Sequence, residues 1–171
     1  FTLPDSQVDP YNTVIAAEIS DSIAEVTPGM GYKDPQKVIE LHSRDAKLGG
    51  EETRYDRDGR YATNFISSVS PKNELMWYHY AHDPGNFAVS IEYSVASDDA
   101  GSNFNLSLIN KDNSTGKQVL KGTIQPTNGA YKTFAVGNMT FRAGEAQMII
   151  FGLNDDKSKN LKVRKLVLEK L

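Results

Sequence analysis

Phe87-Ala88-Val89-Ser90-Ile91-Glu92-Tyr93-Ser94-Val95 decides the fold. Its odd positions are apolar or aromatic, and its even positions are small or polar. Side chains of a strand point alternately to its two faces, so this stretch is a strand with one buried face and one mostly polar face. Phe104, Leu106 and Leu108 repeat the pattern. Further β-type runs follow: Val119-Leu120 with Ile124, Tyr131 to Val136, Gln147 to Leu153, and Leu161 to Leu168. Turn clusters separate them at Asp83-Pro84-Gly85, 98–101, 110–116, 126–129, 143–144 and 154–160. No segment sustains a helical period over several turns. Regular short strands without helices between them predict an all-β fold, an antiparallel β-sandwich.

The last run changes parity. Leu161 and Val163 are odd, Leu166 and Leu168 are even, and Arg164-Lys165 stands between. A β-bulge there would keep one face buried across the slip.

Upstream of Lys37 the composition differs. Pro4, Pro10, Pro28 and Pro35 fall there, with one β-rich run, Thr13-Val14-Ile15-Ala16-Ala17-Glu18-Ile19. The stretch from Thr27 to Pro35 reads as a linker, because Pro and Gly oppose regular pairing. Residues 1–36 are therefore expected to be a short extended N-terminal segment and residues 37–171 the sandwich. The 171 residues suffice for one domain plus an extension. The chain opens with Phe1 and shows no basic start followed by an apolar stretch, so it reads as a processed chain or a piece of a longer one.

Composition excludes several functions. Cysteine is absent, which removes disulfide scaffolds and Cys-ligated zinc. Nineteen Lys and Arg balance 22 Asp and Glu, so no general nucleic-acid binding is expected. No apolar run approaches the ~20 residues of a membrane-spanning helix. The three histidines, His42, His79 and His82, lack metal-type pairing; His79 reads as a packing residue and His82 as part of a solvated turn. No nucleophile elbow, P-loop or dinucleotide fingerprint is present. Most carboxylates fall in turns, and Glu92 alternates outward as a solubilising group would. Asp98-Asp99 and Asp155-Asp156 offer hard oxygen ligands to calcium, or simply make turns. Trp77, with apolar and aromatic neighbours, reads as core.

Several stretches resemble a family when taken in order. Leu75-Met76-Trp77, then Pro84-Gly85, then Phe87-x-Val89-x-Ile91-x-Tyr93 is similar to carbohydrate-binding-module β-sandwiches of the family 6 and 35 type. Asp99-Ala100-Gly101-Ser102, Thr127-Asn128-Gly129-Ala130-Tyr131, Phe141-x-Ala143-Gly144 and Asn160-Leu161-x-Val163 resemble the version attached to bacterial α-L-fucosidases of glycoside hydrolase family 29. Ile39 to Gly50 resembles that version's opening, so the likeness spans about 37–171. Leu3-Pro4-Asp5 with Asn12-Thr13-Val14-Ile15 resembles the C-terminal β-domain of the same hydrolases.

The resemblance implies a jelly-roll, galactose-binding-like fold. It also implies a noncatalytic module, secreted or periplasmic, whose partners are a glycan and the catalytic domain of a parent hydrolase. By resemblance Asn160 matches a sugar-contacting loop asparagine and Tyr131 the aromatic of a Thr-Gly-Gly-Trp turn. Tyr55, Tyr61 and Arg60, in the charged stretch 54–61, are further candidates, because sugars need aromatic platforms beside planar or charged hydrogen-bonding groups. Each has a structural alternative: Tyr131 covering a sheet edge, Asn160 holding a turn, Tyr55 and Tyr61 packing on the sandwich. The positions comparable to the family's structural calcium ligands are Arg44 and Lys162, both cationic, so no cofactor is expected. The alternatives to glycan binding are a spacer packed on the catalytic domain, and a hydrolase or lyase built on the sandwich itself.

Overall fold

The structure is a computed structural model that describes residues 37–50, 53–57, 64–67, 69–80, 84–110, 116–144 and 146–171. The N-terminal segment 1–36, Arg60, Tyr61 and His82 lie outside the described residues. In chain order the strands are β1 (Val38–His42), β2 (Lys47–Gly49), β3 (Arg54–Arg57), β4 (Asn64–Ser67), β5 (Glu74–Tyr80), β6 (Gly85–Ser94), β7 (Asn103–Asn110), β8 (Gln118–Thr123), β9 (Lys132–Phe141), β10 (Ala146–Leu153) and β11 (Lys162–Lys170). Single 3-10 turns follow at Ser43–Asp45 and Ser97–Asp99, and the described residues contain no α-helix.

The strands make two antiparallel sheets. One has the order β3-β4-β11-β6-β9, with β1 also pairing β11. The other has the order β2-β5-β10-β7-β8. The sandwich expected from the spacing of turns is therefore the fold observed. Phe87, Val89, Ile91, Tyr93 and Val95 of the deciding stretch are all buried. They meet Leu75, Trp77, Leu106, Leu108, Ile149 and Phe151 of the other sheet in one apolar cluster. Trp77 is core, and its indole Nε1 donates to the His42 carbonyl oxygen at 2.9 Å. His79 packs edge-on to Phe141 with ring centroids 5.7 Å apart.

The bulge in β11 is present. Val163 pairs with Tyr93 and Lys165 with Glu92, so Arg164 is the extra residue. Val163, Leu166 and Leu168 all stay buried as a result. A second bulge corrects the reading of β9. Val89 pairs with Gly137 but Ser90 with Ala135, which leaves Val136 over. Inward positions pass from Phe134 to Met139 and Phe141, and the strand runs on to Phe141 although its period-two signal stops at Val136. Tyr55, from the charged stretch 54–61, lies in β3 opposite Ile66.

Candidate functional site

Antiparallel pairing decides which loops share an end. β6 finishes where β9 and β11 begin, and β7 begins where β8 and β10 finish. The loops 95–102, 124–131 and 154–161 therefore crowd one end of the sandwich, on rigid strands that fix their spacing.

Side-chain clamps hold these loops together. The buried Thr127 hydroxyl donates to the Val95 carbonyl oxygen and accepts from the Val95 N–H, both at 2.8 Å. Gly129 N–H donates to the same carbonyl at 3.1 Å. Asn128 takes φ 56°, a left-handed conformation that Asn tolerates, and its Oδ1 accepts from Ser97 Oγ at 2.5 Å. Asn160 Nδ2 donates to Asp99 Oδ2 at 2.6 Å. The Asn160 amide is thus held against the Asp99 carboxylate of the 95–102 loop, and Asn128, three residues before Tyr131, is held to Ser97 of the same loop. Asp155 is spent on structure. Its Oδ2 accepts from Asn103 N at 3.2 Å and Nδ2 at 3.3 Å, and the backbone donor, first among its partners, holds the carboxyl below its usual range.

Tyr131 does not project as a bare ring. The Arg164 guanidinium carbon lies 3.4 Å from its ring centroid, and Phe65 stands 6.3 Å away at 50°. Lys162 Nζ sits 4.8 Å over the Phe65 ring. Arg164 Nη1 also donates to Glu92 Oε1 at 2.9 Å. From there the charges continue across the outer face of β11. Lys165 Nζ lies 3.5 Å from Glu92 Oε2 and 2.6 Å from Glu40 Oε1, and Glu40 Oε2 lies 3.3 Å from His42 Nε2. The Lys165 hydrogen bond holds the Glu40 carboxyl below its ordinary value, and the same bond raises the Lys165 ammonium. Glu92 is therefore no freely solvated carboxylate, which corrects its sequence reading. The bulge turns Arg164 and Lys165 outward in succession, and both close on it.

The candidates fall in two places. Tyr131 and Asn160 flank the same loop cluster. Tyr55 is half exposed on β3, and its hydroxyl donates to the Ala46 carbonyl oxygen. The residues that sequence reasoning passed over are Arg164 and Phe65, and Asp99, read as a calcium ligand or a turn residue, is here the partner of Asn160. The parity slip at 164–165 was the available signal for the first. A calcium in the family 6 manner does not fit, because Lys162 places an ammonium over Phe65 and Arg44 lies 3.8 Å from Asp45. Among the described residues no group of three or more His, Cys, Asp or Glu could hold a metal ion. No helix among them is long and apolar enough to cross a membrane.

No protein-family model and no curated protein matches this sequence. Solved structures do. A family 35 carbohydrate-binding module from Clostridium thermocellum is similar with a TM-score of 0.59 at 15% identity, covering 77% of this chain and 98% of that one. The C-terminal family 6 module of LamC, a marine laminarinase from Zobellia galactanivorans, gives 0.54 at 12%, covering 78% and 99%. The mosquito-larvicidal Cry4Aa toxin from Bacillus thuringiensis gives 0.64 at 12%, covering 78% and 23%. The chain spans about a quarter of the longer chains it resembles. At such identities the likeness is one of fold, and the fold is that of carbohydrate-binding-module β-sandwiches.

Proposed function

We propose that residues 37–171 form a noncatalytic carbohydrate-binding domain that takes glycan weakly through the loops 95–102, 124–131 and 154–161. The observation that carries this reading is the gathering of Asn160, Asp99 and Asn128 around one loop cluster with Tyr131 at its flank. Amides and a carboxylate exchange hydrogen bonds with sugar hydroxyls, and the electron-rich face of an aromatic ring packs on the C–H surface of a pyranose. The parent is a secreted or periplasmic glycoside hydrolase, an α-L-fucosidase by resemblance of the motifs. Tethering a weak module to such an enzyme raises the effective concentration of its substrate. Tyr61 and Arg60 extend the same proposal to the 58–63 stretch.

A glycan array on the 171-residue chain, repeated with Tyr131→Ala and Asn160→Ala, tests it. The expected result is binding to one class of glycan, lost in both variants while each keeps its far-UV circular dichroism. Binding that survives both substitutions removes this site. A chain that binds no glycan favours the spacer reading, which draws on one observation: Arg164 already occupies a face of the Tyr131 ring.

A further inference from the structure

The outward face of the five-stranded sheet is apolar over β5 and β10 and reaches Ile109 and Val119, while β7 also turns Asn103, Asn105 and Ser107 to this side. On β5, Leu75 and Trp77 turn into the core, so Met76, Tyr78 and Tyr80 turn out. Tyr78 is 62% and Tyr80 45% exposed. The register carries this face across the sheet. Tyr78 lies opposite Met148 and Met148 opposite Ile109, while Met76 lies opposite Ile150. β10 is thus apolar on both sides, the pattern of a strand covered on both. Among the described strand residues of this face, charge is confined to Lys47 at the β2 edge and to one transverse row. That row runs from Glu74 on β5 through Gly152 and Asn105 to Lys121 on β8.

We propose that this face docks on the same face of a second copy of the chain. Apolar sheet faces pack with their strands nearly aligned, and a two-fold interface must be complementary to itself. A two-fold axis along the strands, between β10 and β7, exchanges β5 with β8. It lays Glu74 over Lys121 of the second copy and Lys121 over Glu74 of the second copy, with Met76 against Val119. A two-fold axis across the strands would instead set the charged row on the Tyr80 end and leave both charges without an opposite. Charge complementarity therefore selects both the occupant and its orientation. Met148 and Ile109 then flank the axis with Tyr78 one strand further out, and tyrosine and methionine suit an interface core.

Sedimentation velocity on the 171-residue chain over a dilution series tests this without reference to glycan. The expected result is a dimer that dissociates on dilution. Tyr78→Lys should raise its dissociation constant about tenfold or more, the loss typical of an interface aromatic that anchors binding. Glu74→Lys alone should weaken it by opposing like charges, and Glu74→Lys with Lys121→Glu should restore it. Unchanged Trp77 emission in each variant confirms the fold. A monomer at every concentration overturns the proposal, as does a dimer indifferent to Tyr78→Lys or one that the double exchange fails to restore. A monomer whose glycan binding is lost with Tyr78→Lys also overturns it, and assigns the face to sugar.

Discussion

Arg164 serves two unlike partners at once. Its plane covers Tyr131 while Nη1 donates to Glu92, whose side chain is only 14% exposed. Without the guanidinium, the ion pair left to Glu92 among the described residues is the 3.5 Å contact to Lys165. Arg164→Met retains an apolar stem over the ring but removes the charge-assisted bond. It is expected to cost about 1.5–3 kcal/mol in urea unfolding. Arg164→Lys should recover little, because an ammonium lacks the flat plane that stacks on tyrosine. A loss under about 0.5 kcal/mol in Arg164→Met would mean that the pair contributes nothing net. A second residue is fixed by steric approach. A Cβ on Gly122 would stand 2.4 Å from Phe104 Cζ, and that ring is already packed at 5.3 Å on Phe151. Gly122→Ala is expected to destabilise by about 1–3 kcal/mol through overpacking. Gly152→Ala, whose Cβ would meet only Glu74 Cγ at 3.9 Å, is the control and should stay within about 0.5 kcal/mol of the parent in thermal unfolding.

At the scale of elements, β1 is clipped to β11 by the Glu40–Lys165 pair as well as by its backbone ladder. The Glu40 carboxyl is depressed in the folded state. Its contribution is complete above the ordinary carboxylate range and drains as pH falls through the depressed value. The Lys165 ammonium is raised, so its contribution is complete below the ordinary lysine range and is lost only as pH climbs above it. The clip is therefore constant from about pH 6 to about pH 9 and opens in acid. Both groups are partly exposed, so the effect is at most about 1 kcal/mol. Hydrogen exchange at Ile39 and Leu41, corrected for the intrinsic rate, should quicken in acid. In Glu40→Gln it should be faster already at neutral pH and flat below it. Equal protection of the wild-type strand in acid and at neutrality would exclude the clip. The same strands show what sequence can carry. β6 keeps strict alternation and is legible directly, and the β11 bulge shows because its parity slip is bracketed by leucines. β9 hides its second half because Val136 shifts the phase, and β2, β3 and β4 are too short for any period to register. Tyr131 stood out as a position, but its contact with Arg164 did not, because 33 residues of chain separate them and only the bulge brings the guanidinium round.

For the whole molecule, the governing fact is that distant segments are neighbours. β1 lies along β11, β5 pairs with β10, and β6 pairs with both β9 and β11. The first sheet cannot close until the last strand arrives, so loop-closure entropy is met before the core rewards it. β1 then matters beyond its five residues. Ile39 and Leu41 pack on the apolar cluster, and the His42 carbonyl receives the Trp77 indole proton. Burying two such aliphatic side chains contributes about 1.5–3 kcal/mol each when complete, against a total stability of about 5–15 kcal/mol for a domain of this kind. A chain of residues 37–171 is therefore expected to unfold cooperatively in urea with the blue-shifted Trp77 emission of the full chain. A chain of residues 43–171 should lose a third or more of the stability, shift its emission to the red, and expose the edge of β11 to pairing with other molecules. If residues 43–171 unfold at the midpoint of residues 37–171, β1 stands outside the cooperative unit. If residues 37–171 do not fold at all, the sandwich depends on the preceding segment and the boundary at Lys37 is wrong.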